Sequence, residues 1–364
     1  DHPNIPPVHM VGKDAAGHAV LVMKRIDGTD LYSMLQNPKH HRWQQVDGDQ
    51  KMWTLDVVIQ ISRALEHAHS RQVLHRDIKA ENVMIGDFGQ IFLIDWGISV
   101  DLSDKESSTT TSKFVGSPCF AAPEMVIPSS ALKPTTDVYL LGAMLFEILT
   151  GTVPRMGRSI NELLTKARRK ENFLIPPSVK PSLATIIAKA TEPNPGDRYA
   201  TVSEFRSAVQ KYKANHFLLE QLQIAETQIA TLRQWLREQR TDRQTGYNFM
   251  TLAHEALANL KTVIRGGVRV QYAEQLVMEN IRIQTEYSIL VKQFGVAKSL
   301  VARLVDELGP DIPWVGILAS QIAKAQSEAE GNDSEIQTQS LAIMFEKMFE
   351  LQQQSKTTSD TTEE

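Results

Sequence analysis

Residues 74–99 read LHRDIKAENVMIGDFGQIFLIDWGIS and hold two similar triplets, Asp87-Phe88-Gly89 and Asp95-Trp96-Gly97. Only one of the two aspartates can stand where a bound cation is held. Residues 83–85 and 91–94 are short apolar runs rich in strand formers, and the segment between them contains Gly86 and Gly89. Two such runs joined by a short glycine-containing connector predict a β-hairpin. Asp87 then lies in the turn, where aspartate commonly stabilises its own backbone. Asp95 instead follows the second strand directly, where the chain leaves the sheet and a carboxylate can project into a cleft. Asp95 is therefore the metal candidate.

Composition limits what surrounds this segment. With 364 residues, 42% of them hydrophobic, the chain can bury one large core or two smaller ones, and two domains are the expectation. A formal net charge of -4 and a pI near 6.2 show no basic excess of the kind that nucleic acid or an anionic membrane selects. One cysteine, Cys119, excludes an intramolecular disulfide framework and suits a reducing compartment, so the expected location is the cytoplasm. No apolar run is long enough to cross a bilayer; residues 138–149, interrupted by Gly142 and Glu147, predict a buried helix.

The pattern changes near residue 214. Before it, strand-like runs such as residues 19–24 alternate with helical periodicity and proline-rich loops, an α+β pattern. After it, Leu218, Leu222, Ala225, Ile229, Leu232 and Leu236 alternate steps of four and three, as do Leu290, Phe294, Ala297, Val301, Leu304 and Leu308. Both series predict helices with narrow apolar seams, packed as an antiparallel bundle or as an intermolecular coiled coil. Gly309, Pro310 and Pro313 should end the second helix, and residues 352–364 have too little apolar content to pack. The expected organisation is thus 1–213, a helical region 214–351 and a disordered tail 352–364.

In order along the chain stand His75-Arg76-Asp77-Ile78-Lys79-Ala80-Glu81-Asn82, then Asp95-Trp96-Gly97, then Ala122-Pro123-Glu124. This combination resembles the catalytic core of the protein kinase superfamily, most closely bacterial-type serine/threonine kinases, over about residues 1–213. The resemblance implies transfer of the γ-phosphoryl group of ATP to serine or threonine hydroxyls of a protein substrate, with Mg2+. Asp77 would take or orient the hydroxyl proton, and Lys79 would bring positive charge to the transferring group. Asn82 and Asp95 would supply the hard oxygen ligands that magnesium prefers. Ala80 departs from the proline commonly found at its position.

Residues 21–28 resemble the last strand of the kinase N-lobe and the hinge after it. Met23 would then be the gatekeeper, and backbone groups of Lys24 and Ile26 would bond the adenine edge. Asp30 would meet the ribose, Met84 would floor the base, and Glu81 belongs with the nucleotide-binding residues. Glu124 with Arg198 resembles the buried ion pair of the lower lobe, and Asp137 the carboxylate that steadies the catalytic loop. Arg76 would pair with a phosphate on Thr109, Thr110 or Thr111, and Ser117 in the acceptor-docking segment favours a Ser/Thr substrate.

His2-Pro3-Asn4-Ile5 resembles the entry to the fourth N-lobe strand. The glycine-rich loop, the strand lysine and its glutamate partner would therefore lie before Asp1, and the start resembles a cut. On this expectation the 364-residue chain alone turns over negligibly. Two other functions stay open at this point: a small-molecule phosphotransferase of related fold, and a non-catalytic scaffold whose helical half binds or self-associates. Residues 40–50 lack metal-ligand spacing and are expected to form a solvated loop.

Overall fold

The structure is a computed structural model that describes residues 2–46, 48–104, 109, 110, 114–308 and 315–330. The chain forms two compact units, Asp1–Ala214 and Asn215–Glu364.

The first unit is α+β. Strands β1 (Val8–Lys13) and β2 (Ala19–Met23) pair antiparallel. A second sheet has the order β3-β5-β6, from β3 (Gly28–Asp30), β5 (Val83–Gly86) and β6 (Ile91–Leu93), while β4 (Val73–Leu74) pairs with β7 (Val100–Asp101). The β5–β6 hairpin forms as alternation and turn chemistry require: Val83 faces Leu93, and Ile85 faces Ile91. Gly89 takes φ 77°, a left-handed conformation that glycine adopts without a Cβ clash.

Helices make up the body of this unit: α1 (Leu31–Gln36), α2 (Gln50–Ser70), α3 (Pro123–Val126), α4 (Pro134–Thr150), α5 (Ile160–Arg168), α6 (Pro181–Ala190) and the first turns of α7 (Val202–Arg237), up to Ala214. Leu55, Val58, Ile61 and Leu65 of α2 join Val138, Leu141 and Leu145 of α4, Ile187 of α6 and Phe205 of α7 in one core. Gly142 lets α4 approach α6 closely, since a Cβ there would meet the Ala190 methyl at 2.6 Å. Residues 138–149 thus lie in a buried helix, and among the described residues no helix is long and apolar enough to cross a membrane.

The expected solvated loop at residues 40–50 is overturned in part. His41–Gln45 forms a 3-10 turn in which Arg42 and Trp43 are buried. Trp43 Nε1 donates to the Met34 carbonyl at 2.9 Å, and its ring meets Trp53 edge-on at 5.7 Å. A tryptophan that finds both a polar partner for its N–H and an aromatic neighbour gains more inside than in water.

The second unit contains α8 (Arg243–Arg265), α9 (Val270–Leu290), α10 (Phe294–Leu308) and α11 (Val315–Glu330). Leu222, Ala225, Ile229 and Leu232 from the later turns of α7 pack with Phe249, Ala253 and Leu260 of α8 and Ile281 and Tyr287 of α9. The Phe249 and Tyr287 rings stack at 3.8 Å. The second apolar series is not one helix: Leu290 ends α9 and Phe294 opens α10. Between them Lys292 adopts φ 60°, and the Gln293 N–H reaches back to the Ser288 carbonyl at 2.7 Å, closing a left-handed helix C-terminus. Gly309, Pro310, Pro313 and the tail 352–364 lie outside the described residues.

Candidate active site

The segment that leads from β4 into β5 is held from beneath by buried carboxylates. Asp137, fully buried on α4, accepts the His75 N–H at 2.9 Å and the Arg76 N–H at 3.0 Å, while His69 Nε2 bonds the same carboxylate at 2.7 Å. Burial alone would raise the Asp137 pKa, but the hydrogen bond and charge of His69 and the backbone donors hold it below the usual carboxylate range. Glu147, ten residues further along α4, accepts the Ala80 N–H at 3.0 Å. Arg76 takes φ 71° within this segment, a left-handed conformation rare outside glycine.

His75 joins the two halves of the site. Its Nε2 lies 3.0 Å from the Ile94 carbonyl, its Nδ1 accepts the Asp77 N–H at 3.2 Å, and its ring meets Trp96 at 4.5 Å. Burial pushes its pKa down, whereas the carboxylates of Asp137, Asp77 and Asp95 each favour the charged form. Asp77 and Asp95 therefore act on one imidazole. The Ile94 N–H also donates to the Asn82 carbonyl at 2.9 Å, which ties the start of the Asp95 triplet to the end of the 75–82 segment.

Asn82, Asp77, Lys79 and Glu81 form a connected set. Asn82 Nδ2 donates to the Asp77 carbonyl at 2.7 Å and to its Oδ2 at 3.0 Å. The Lys79 ammonium lies 3.8 Å from Asp77 Oδ2 and 2.7 Å from Glu81 Oε2. Burial opposes its charge, but the Glu81 hydrogen bond and the carboxylates of Asp77, Glu81 and Glu147 outweigh that and raise its pKa. Glu81 thus meets Lys79 through its side chain. Asp95, exposed and at φ 62°, accepts a long 3.4 Å bond from the Gly97 N–H.

The chemistry of these donors fits a hard divalent cation. With its amide nitrogen committed to Asp77, Asn82 presents an amide oxygen, and Asp95 presents a carboxylate. Among the described residues no group of three or more His, Cys, Asp and Glu side chains could hold a metal unaided. A pair of protein oxygens suits magnesium, which keeps waters and takes phosphate oxygens for its remaining positions. The other triplet is placed differently: the Asp87 carboxylate pairs with buried Arg42, whose guanidinium also donates to the Gly86 carbonyl at 2.9 Å. Asp87 is in the turn as expected, but its carboxylate serves Arg42 rather than its own backbone.

Of the residues expected on the nucleotide side, Met23, Asp30 and Met84 lie on β2, β3 and β5. Met23 ends β2 and is half exposed, and Asp30 and Met84 are cross-strand partners. The Lys24 N–H donates to the Pro7 carbonyl at 3.0 Å, so its carbonyl is the Lys24 backbone group left for a ligand, and its ammonium stands 5.6 Å from the Phe92 ring. Ile26 is half buried in the link from β2 to β3. Asp30 caps α1, its two carboxylate oxygens accepting the Ser33 N–H at 2.7 Å and the Ser33 hydroxyl at 2.6 Å.

Other residues behave as scaffold. Arg198 forms a forked pair with Glu124 at 2.7 and 2.9 Å, and both side chains are buried. Thr110, one of the three phosphorylation candidates, is buried with its hydroxyl donating to the Ile127 carbonyl at 2.7 Å; it is no ready acceptor. Thr109 is exposed, and Thr111 lies outside the described residues. Sequence reasoning missed His69 and Glu147. The signal for Glu147 was the Ala80 departure, which adds an N–H that proline lacks and so requires an acceptor.

The family model for the protein kinase domain matches residues 1–258. The chain belongs to the protein kinase domain family. It is 30% identical over 243 residues to the serine/threonine-protein kinase PknD of Chlamydia trachomatis, covering 58% of this chain and 25% of that protein. It is 33% identical over 215 residues to the serine/threonine-protein kinase PrkC of Bacillus subtilis, covering 58% and 31%. A third relative, the serine/threonine-protein kinase PknB of Mycobacterium leprae, is 30% identical over 215 residues, covering 57% and 33%. The chain thus spans about a quarter to a third of the length of these curated relatives.

Proposed function

We propose that this protein kinase transfers the γ-phosphoryl group of ATP to serine or threonine hydroxyls of a protein substrate. The observation that carries the reading is the arrangement of Asp77, Asn82 and Lys79 in one bonded set, joined through His75 and Ile94 to Asp95. Phosphoryl transfer asks the protein mainly for positioning and charge stabilisation. Asp77, partly buried and fixed by Asn82, orients the acceptor hydroxyl and takes its proton. Lys79 keeps its positive charge because carboxylates surround it, and it carries that charge to the transferring group. Asn82 and Asp95 are the residues that would hold Mg2+, which supplies charge neutralisation on the triphosphate when bound. Met23, Lys24, Ile26, Asp30, Glu81 and Met84 line the nucleotide side, and the half-exposed apolar surface of Met23 and Met84 suits a base.

Three relatives named as serine/threonine kinases support the choice of acceptor, as does Ser117. Arg76 is half buried, and its Nε has no partner among the described residues, so a phosphate on Thr109 or Thr111 would find a cation there. Residues 1–213 form the catalytic unit in this reading, and the helices of 214–351 contact a partner or a second copy. The test is phosphotransfer from γ-labelled ATP by the protein expressed from its complete reading frame. Label should appear on serine and threonine, and Asp77→Asn should lower kcat by about 10²- to 10⁴-fold with folding retained. Label confined to a small molecule, or an Asp77→Asn variant of undiminished rate, would contradict the reading.

A further inference from the structure

Glu147 is a buried carboxylate that the proposed chemistry does not use. It sits at 2% exposure on α4, in the run Leu145-Phe146-Glu147-Ile148, where an apolar residue would pack without cost. Its carboxylate accepts the Ala80 N–H at 3.0 Å. Ala80 is itself fully buried and opens the 3-10 turn Ala80–Asn82, between the residues proposed to stabilise charge and to hold the cation. An unpaired buried N–H at this point would be costly and would leave the turn free to rotate.

We propose that Glu147 is a positioning residue for phosphotransfer, anchoring the Ala80 amide so that Lys79 and Asn82 keep their places around Asp77. This rests on the kinase reading above. The connection is short and covalent: Lys79 precedes the anchored amide, and Asn82 closes the same turn through its N–H to the Lys79 carbonyl at 3.0 Å. Asn82 then fixes Asp77 through both bonds of its amide nitrogen. The carboxylate also acts on the Lys79 charge across the turn. The Ala80 N–H and the Glu147 carboxylate thus form one device, because only a residue with an N–H needs the acceptor.

Proline at position 80 removes the donor. Lys79 is already extended at φ -160° and ψ 166°, the conformation required before proline, and the first position of a helical turn accommodates its ring. A double-variant cycle in the protein expressed from its complete reading frame therefore separates anchoring from bulk stability. Glu147→Ala should lower kcat about 10- to 100-fold, with KM for ATP changing less than about threefold, since the lost bond is to an ionisable group and acts on the reacting geometry. The same change made in the Ala80→Pro background should cost less than about a third of that factor. Glu147→Gln, which keeps volume and an acceptor oxygen, should retain most of the rate and serves if the alanine variant does not fold.

Equal losses from Glu147→Ala in both backgrounds, or a loss carried in KM alone, would overturn the anchoring role. So would a Glu147→Gln enzyme as impaired as an Asp77→Asn one. If the parent protein itself transferred no phosphoryl group, the kinase reading would fail first, which is a different result.

Discussion

The 75–82 segment and the β1–β2 hairpin stand in the same unit and are built by opposite means. In the first, buried partners specify nearly every polar atom: Asp137 takes two backbone amides and His69, Glu147 takes Ala80, and His75 binds at both ring nitrogens. In the second, as it stands in the 364-residue chain, all of β1 is exposed, with Val11 at 73% and Met10 at 60%, and the described pairing of β1 is its ladder with β2. The difference teaches where energy is concentrated. A buried charge without its partner is expensive, so each such contact is all or nothing. An exposed apolar side chain costs little to change.

The widest gap between these modes should appear at the Glu124–Arg198 pair. Glu124→Gln leaves a buried guanidinium facing a neutral amide, and chemical denaturation should show a loss of about 3–5 kcal/mol. Val11→Thr, made in the same 364-residue chain, where this strand is exposed, should change stability by less than about 0.5 kcal/mol in the same assay. Comparable losses at the two positions would erase the contrast.

Glu147 predicts a smaller effect with a sign of its own. Burial raises its carboxyl pKa from 4.5 to about 7, helped by Glu81 and opposed by the Ala80 N–H and Lys79. The folded state therefore binds this proton more tightly than the unfolded chain. The resulting stability is full below about pH 4.5 and is lost as pH rises through about 7, a total of about 3 kcal/mol. Subtracting the unfolding profile of Glu147→Gln from that of the parent between pH 5 and 7.5 should show this decline. A flat difference would place the group at an ordinary pKa.

The sequence made the β5–β6 hairpin and the placement of Asp87 and Asp95 readable, because strand alternation and turn glycines are local signals. The ordered run from His75 to Glu124 carried the family in the same way. What stayed hidden depended on distance or on the absence of a marker. Arg42 and Trp43 sit in a polar run without periodicity, and the partner that explains Arg42 lies 45 residues further on. The break at Lys292 has no glycine or proline to announce it. Glu147 was concealed inside an otherwise apolar helix, and its meaning depends on an N–H at residue 80 that only the fold brings to it.

The central claim is that Asp95, not Asp87, is the acidic residue that receives the cation. The direct measurement is the Mg2+ dependence of ATP turnover in Asp95→Asn and Asp87→Asn proteins expressed from the complete reading frame. Asp95→Asn should lose more than about tenfold in the rate reached at saturating Mg2+, or require correspondingly more of it. Asp87→Asn should follow the parent's Mg2+ curve while losing some stability with its Arg42 pair. A curve unchanged by Asp95→Asn and displaced by Asp87→Asn would contradict the account.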